Sequence, residues 1–431
     1  MAAPPSAPSG EVGPAGSERL VEGLFIAYVP GLDLRRVDRQ TCPHLTELID
    51  AYPVVKFKAP ATSDCMPTLL TGAYPHEHGL WGPKLRRSGA TRTVASRLVD
   101  VMPDVVTTTF QCIRHVVVAP MDMAGVPPRR RRRFELCFFK HVKTRGAGDV
   151  TEPVNGLPSF LSEMGADRSR FVYLPGLKGL QRRLRPLADG SHALEMVEIH
   201  CLDQIQHWRA DREERVRSAY REVDDFLAAL HAKCCDRDLA FMFLCDHGSE
   251  PVRGTIDVMG EVRGLGLRDD EYDFYVENTR TRFWIHTARA RERIPELLGS
   301  LPHSQVLSWR DLERFGICFP DTDFGELYLY ADPGYIFFPN DFHHVLANRV
   351  LAVADRQQRP RFSRPAHRSD HGYLPHAESE TGFLLLAEED VETMSNRMEI
   401  VDLAPSVLSL MGFDPPGTMR GRSVFRRRSN S

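Results

Sequence analysis

Short apolar runs rich in β-branched and aromatic residues recur along the chain, at Leu24–Val29, Val105–Phe110, Arg170–Leu174, Glu195–His200 and Leu239–Cys245. Between them lie stretches of helical length. The clearest is Trp208–Lys233, where Val216, Tyr220, Val223, Phe226, Leu227 and Leu230 keep helical spacing. Buried strands alternating with amphipathic helices predict an α/β fold: a mainly parallel sheet sandwiched between helices. Ligands in such folds sit beyond the carboxyl ends of the strands, so polar residues at those ends are the first candidates for chemistry.

The pattern changes over residues 252–360. A strand-like Arg280–His286 leads into a helix, Ala288–Gly299, and GELYLYADPGYIFFPNDF reads as two strands with Asp332-Pro333-Gly334 as the turn. An inserted α+β subdomain is expected there. The core of the fold is then split between 19–251 and 361–425, with a disordered tail at 1–18 and a basic tail at 426–431. After the strand Gly382–Ala387 the chain ends on a helix, DLAPSVLSLMG, with Asp402 as its expected N-cap and Gly412 to stop it.

Composition narrows the class. The 431 residues carry a formal net charge of -3, a near-balance that argues against a dedicated nucleic-acid binder. No apolar run approaches the roughly 20 residues of a membrane span. The Ala/Pro/Ser/Gly-rich start has neither a basic nor an apolar segment of a secretory signal. The nine cysteines are odd in number and scattered, which is not a disulfide framework or a zinc ribbon. Reduced thiols in the cytoplasm are the expectation.

Four polar clusters stand at strand ends. They are Thr62-Ser63-Asp64 with Thr71-Gly72 and Tyr74-Pro75-His76-Glu77-His78-Gly79; Asp203 with His207; Asp246-His247-Gly248; and Asp370-His371-Gly372. Taken singly, each is ordinary turn or cap composition, and His76 and His78 read most simply as turn packing. Together they assemble carboxylates and imidazoles, a donor set that suits zinc and also accepts manganese or iron. Such ions can stabilise both the attacking and leaving oxygens of a displacement at phosphorus and activate a threonine hydroxyl as nucleophile. Asp370 is the candidate partner that orients His371.

The ordered set resembles the alkaline phosphatase superfamily, in its type I phosphodiesterase/nucleotide pyrophosphatase-like branch. The resemblance spans about residues 22 to 425 and rests most specifically on Thr62, Thr71, Gly72, Tyr74, Pro75, His78 and Gly79. It implies hydrolysis of a phosphodiester or pyrophosphate in a small phosphate-ester substrate, with Thr62 as the nucleophile that becomes phosphorylated. It also implies two divalent metal ions, zinc in the first place: one held by Asp203, His207 and His371, the other by Asp246 and His247 with Thr62.

Two positions depart from that pattern. Pro30 stands before Gly31 where the resemblance implies an aspartate, which weakens the second metal site; Asp33 and Asp64 are the candidates to stand in. Pro83 occupies the place of a phosphate-contacting asparagine, with Lys84 as a possible replacement charge. Trp81 and Trp208 are candidate substrate contacts, although packing is the simpler role for both. A sulfatase is disfavoured: Cys65-Met66-Pro67-Thr68 lies too close to Thr71-Gly72 and lacks the arginine of the sulfatase motif. The run Arg129–Arg133 reads as a solvated loop, with anion contact as its functional alternative. Two rival functions stay open: a silent or weak member that binds an anionic ligand, and a phosphoryl transferase to an acceptor other than water. The oligomeric state is not legible.

Overall fold

The computed structural model describes residues 18–60, 65–80, 152–268, 270–319, 321–338 and 367–429, together with Val106 and the paired strands Lys84–Arg86 and Phe134–Leu136. Thr62, Asp64, Trp81, the Lys84 side chain, Arg129–Arg133, residues 1–17 of the expected tail and all of Val105–Phe110 except Val106 lie outside the described residues.

In chain order the elements that position the site begin with β1 (Leu24–Tyr28), α1 (Pro43–Ala51), β2 (Val55–Lys58), α2 (Met66–Thr71) and α3 (Pro75–His78). The strands β3 (Lys84–Arg86) and β4 (Phe134–Leu136) precede α4 (Phe160–Met164), β5 (Ser169–Leu174), α5 (Leu180–Arg183) and β6 (Leu194–Ile199). Then come α6 (Cys201–Arg209), α7 (Glu213–Cys235), β7 (Ala240–Cys245), β8 (Glu250–Pro251) and β9 (Gly254–Ile256).

These elements form a six-stranded sheet ordered β2-β16-β7-β1-β6-β5, in which β16 (Thr381–Ala387) runs against its two neighbours and the other pairs are parallel. Every residue of β1, β6 and β7 is buried. Alternation decides which layer each side chain joins. Leu24, Ile26 and Tyr28 pack with α2, α4 and the C-terminal helix, while Phe25 and Ala27 pack with α1 and α7. A strand buried on both faces has no polar side, which is why these segments read as continuous apolar runs. At the sheet edge, β2 alternates buried Val55 and Phe57 with exposed Lys56 and Lys58, the charged outer face expected of an edge strand. The expected α/β sandwich is therefore the observed fold.

A second sheet is antiparallel, ordered β10-β11-β13-β12, from β10 (Tyr272–Val276), β11 (Arg280–Ile285), β12 (Ser304–Ser308) and β13 (Leu327–Ala331). The helices α8 (Val258–Gly264) and α9 (Ala288–Ser300) share its core through Val258, Val262, Ile294 and Leu298.

Three local expectations are corrected. The stretch Trp208–Lys233 is two helices: Arg212 leaves helical torsions (φ -119°, ψ 76°), so Trp208 belongs to α6 and the core-facing stripe to α7. The strands around Asp332-Pro333-Gly334 do not pair with each other. β13 joins β11 and β12, while β14 (Tyr335–Phe337) runs parallel to β9, with the Tyr335 ring lying where Gly254 has no side chain. Asp402 does not cap the last helix, α10 (Leu403–Leu410), with its side chain. Its carboxylate instead accepts from Glu399 N at 2.8 Å and Arg422 N at 2.9 Å, serving the preceding turn. Among the described residues no helix is long and apolar enough to cross a membrane.

Candidate metal centre

Three parallel strands deliver the site at their carboxyl ends. From β6 the chain turns at His200 into α6, which places Asp203 in its first turn and His207 one turn later on the same face. Directly after β7 come Asp246 and His247, both buried. The third contribution is remote in sequence. The two-residue strand β15 (Ser369–Asp370) pairs antiparallel with β8, so Asp370-His371 is laid beside the Asp246-His247 turn. After β1, Gly31 closes the floor: with φ 75°, it brings its backbone where a Cβ would sit 3.0 Å from Asp203 Cα. Gln206 Nε2 donates to the Gly31 carbonyl, and Tyr220 Oη donates to Gln206 Oε1 at 3.2 Å.

The five described positions expected as metal ligands thus lie together. Asp203 Oδ1 is 3.3 Å from His207 Nε2 and 3.5 Å from His371 Nε2. Asp246 Oδ2 is 3.3 Å from His247 Nε2, and the His247 and His371 rings stack at 3.6 Å. The grouping crosses the expected partition, however. Ligand atoms fall within 4.8 Å of one another in two sets, Asp203/His247/His371 and His207/Asp370/His371, which share His371 and omit Asp246.

Hydrogen bonds fix two of the rings. His207 Nδ1 lies 3.0 Å from the Ser369 carbonyl and His247 Nδ1 lies 2.8 Å from the Gly248 carbonyl. A carbonyl only accepts, so Nδ1 carries the proton in both and Nε2 faces a carboxylate. A bare Nε2 lone pair against a carboxylate oxygen is repulsive unless a cation lies between, either a proton or a metal. Imidazoles anchored through Nδ1–H are also the arrangement that metal-binding histidines adopt. The donor set therefore fits a divalent cation.

Electrostatics are strained in the same sense. Burial pushes the Asp203 carboxyl up, but His207, then His371 and His247, outweigh it and hold it well below the usual carboxylate range. Burial lowers His207 while Asp203 and Asp370 overcome it, raising the imidazole to about 10. Burial and the neighbouring His247 instead drive His371 down. Because ligation requires neutral imidazoles, cations and protons compete for this cluster, and cation binding depends on pH.

Asp33 and Trp208 are placed elsewhere. Asp33 is bound by Arg35 through both oxygens, at 2.7 Å to Oδ2 and 3.0 Å to Oδ1, and caps the turn that follows β1. It is therefore not brought into the imidazole cluster. Trp208 is exposed, with its ring edge against His367 at 5.3 Å, beside His207. A cavity of about 340 Å³ is lined by the Asp33 turn, but its arginines are paired, Arg35 with Asp33 and Glu250, Arg36 and Arg217 with Glu213.

Sequence reasoning missed several neighbours. Tyr28 Oη donates to Asp246 Oδ2 at 2.8 Å, yet a tyrosine in an apolar strand carries no signal beyond core. Glu380 is buried and accepts from Gly372 N at 3.0 Å; a carboxylate directly before an apolar strand was a usable signal. Asn278, from the antiparallel sheet, donates to Asp370 Oδ2 at 2.8 Å.

The sequence profile of the type I phosphodiesterase/nucleotide pyrophosphatase family matches residues 29–374. No curated protein matches. Among solved structures the chain is similar to murine ectonucleotide pyrophosphatase/phosphodiesterase 5, as an inactive variant in complex with AMP. The identity is 12% and the TM-score 0.60, covering 91% of this chain and 96% of that one. The human ectonucleotide pyrophosphatase/phosphodiesterase 5 is similar at 12% identity and TM-score 0.60, covering 93% of this chain and 97% of that one. At such identity the structural likeness speaks to the fold, which is that of the alkaline phosphatase superfamily. With the profile covering most of the chain, the protein belongs to the type I phosphodiesterase/nucleotide pyrophosphatase family, hydrolases acting on phosphoric ester or pyrophosphate bonds.

Proposed function

We propose that the protein is a divalent-cation-dependent phosphodiesterase or pyrophosphatase that works on a small phosphate ester through a phosphothreonine at Thr62. The observation that supports this best is the meeting of Asp203, His207, Asp246, His247 and His371 from separate strand ends in one cluster. A divalent cation bound there would neutralise charge developing on the phosphoryl oxygens. Zinc is the first candidate for this carboxylate–imidazole set, with manganese or iron compatible. The chain's own part is positional: Ser369 and Gly248 carbonyls lock two imidazoles, and Gly31 admits Asp203 to the floor.

In the first step Thr62 Oγ bonds to phosphorus as the bond to the leaving oxygen breaks, and the threonine proton ends on the leaving alcohol or nucleotide. In the second, water breaks the phosphothreonine bond, returning a proton to Thr62 and its oxygen to phosphorus. The neighbour solved with AMP makes nucleotides the first substrates to try. Six free thiols among the described residues, Cys42, Cys201, Cys234 and Cys245 buried and Cys235 and Cys318 exposed, support the cytoplasm as the compartment.

The test is hydrolysis of an activated aryl phosphodiester. Thr62→Ala is expected to lose roughly 10³-fold or more, about 4 kcal/mol of barrier; full activity in that variant would remove Thr62 from the mechanism. One feature favours the silent-member reading, namely Pro30, which offers no carboxylate. That reading expects no turnover by the wild-type chain on any phosphoester. Added alcohols appearing in the phosphorylated product would indicate transfer instead of hydrolysis.

A further inference from the structure

The cluster contains three carboxylates, Asp246 and Asp370 buried and Asp203 half-buried, and their surroundings differ. Asp246 is satisfied by protein donors. Its Oδ2 accepts from Tyr28 Oη at 2.8 Å, and its Oδ1 accepts from His247 N at 3.0 Å and faces Gly31 N at 3.4 Å. Asp370 is satisfied likewise. Its Oδ2 meets His367 Nδ1 at 2.7 Å and Asn278 Nδ2 at 2.8 Å, and its Oδ1 accepts from His371 N at 3.1 Å. Asp203 faces three imidazoles, His207 Nε2 at 3.3 Å, His371 Nε2 at 3.5 Å and His200 Nε2 at 3.6 Å, whereas Asp246 faces one, His247 Nε2 at 3.3 Å, beside its hydroxyl and amide donors.

The two groups of ligand atoms also exclude each other. Both need His371, and a neutral imidazole offers one lone pair. In the second group, the His207 nitrogen lying 3.8 Å from Asp370 Oδ1 is Nδ1, whose proton is committed to the Ser369 carbonyl at 3.0 Å. The first group, Asp203/His247/His371, has no such conflict, and His247 presents its Nε2 because Nδ1 is held by Gly248.

We infer that the centre takes a single divalent cation, organised by Asp203 with His247 and His371, and that Tyr28 withdraws Asp246 from coordination. Tyr28 and Gly31, on either side of Val29-Pro30, both address Asp246, and Pro30 between them offers no carboxylate. Asp246 and Asp370 are then positioning residues, the first holding the His247 turn and the second holding the His367–His371 segment. This rests on reading the cluster as the cation centre of the hydrolase, but it concerns how many ions are held and by which carboxylate.

The experiment is a metal titration of the full chain, stripped by chelator and reloaded with Co²⁺ or Zn²⁺. Bound metal is counted after dialysis, and the visible spectrum of Co²⁺ is followed. One equivalent per chain is expected in the wild type, in Tyr28→Phe, in Asp246→Asn and in Asp370→Asn. The last two should show at most the roughly 10–100-fold weakening typical of residues that orient ligands. Asp203→Asn should lose stoichiometric binding and the Co²⁺ spectrum while keeping the wild-type circular dichroism. Two equivalents in the wild type would overturn the single-cation inference and leave the hydrolase reading standing. Loss of the bound equivalent in folded Tyr28→Phe would equally overturn it, since the phenol only restrains Asp246. No bound metal in a wild-type chain that still hydrolyses diesters would overturn both.

Discussion

Gly31 sits at φ 75°, and a Cβ there would come within 3.0 Å of Asp203 Cα and 3.3 Å of its Oδ1. Replacement by alanine asks for the left-handed region, at a cost of about 1–2 kcal/mol, and forces Asp203 outward. A shift of roughly 1 Å at a positioned group can cost about 10²-fold in rate. Gly31→Ala is therefore expected to remain folded and to lose about that factor in kcat/KM on a phosphodiester. An unchanged rate would mean that the approach of this glycine does not set the place of Asp203. In the sequence Gly31 was legible only as the neighbour of a missing carboxylate. The contact that gives it meaning joins positions far apart in the chain, and no local pattern reports it. Tyr28 was hidden for a different reason. An aromatic residue in an apolar strand looks the same whether its hydroxyl is idle or bound to Asp246.

Among the elements, α2 and α3 form a small unit stopped by glycines at φ 58° (Gly72) and 71° (Gly79). His78 joins them: its Nδ1 accepts from Leu80 N at 3.1 Å, so its Nε2–H donates to Thr68 Oγ1 at 3.0 Å. Burial, assisted by His76, drives the His78 imidazole down to about 3. The unfolded chain takes up this proton near the ordinary histidine value of about 6.5, while the folded chain refuses it until about 3. The contribution to stability is therefore complete above about 6.5 and is lost progressively as pH falls toward 3. Unfolding free energies from urea titrations at pH 7 and about pH 4.5 should differ by roughly 2–3 kcal/mol more in the wild type than in His78→Gln. An equal loss in both would remove His78 as the cause. The strands of the main sheet were legible because burial on both faces leaves long apolar runs with no competing pattern. The break between α6 and α7 was not, since Arg209, Asp211 and Arg212 suit a helix exterior as well as a bend. The turn at Asp332 was read correctly as a turn, but strand partners are chosen by tertiary packing: Gly254 receives the Tyr335 ring and draws β14 to β9.

At the scale of the whole molecule, the site depends on one long return of the chain. The antiparallel sheet intervenes between β8 and β15, and their two-residue pairing brings His371 against His247. Membership of the site was readable because each contributor follows or precedes an apolar strand, where an α/β sheet presents its ligands. Partition was not readable. Which carboxylate remains available depends on Tyr28, His367 and Asn278, donors supplied by three separate segments. A cation-dependent centre for phosphoryl chemistry in this cluster makes steady-state hydrolysis of bis(p-nitrophenyl) phosphate depend on bound metal and on Asp203. The wild-type chain and Asp203→Asn are compared before chelation, after it, and after Zn²⁺ is restored. Chelation should lower wild-type turnover by roughly 10³-fold, about 4 kcal/mol of barrier, and Zn²⁺ should restore it. Asp203→Asn should melt like the wild type and stay inactive throughout. Turnover untouched by chelation, or retained in Asp203→Asn, would mean that phosphodiester hydrolysis does not use a cation held in this cluster.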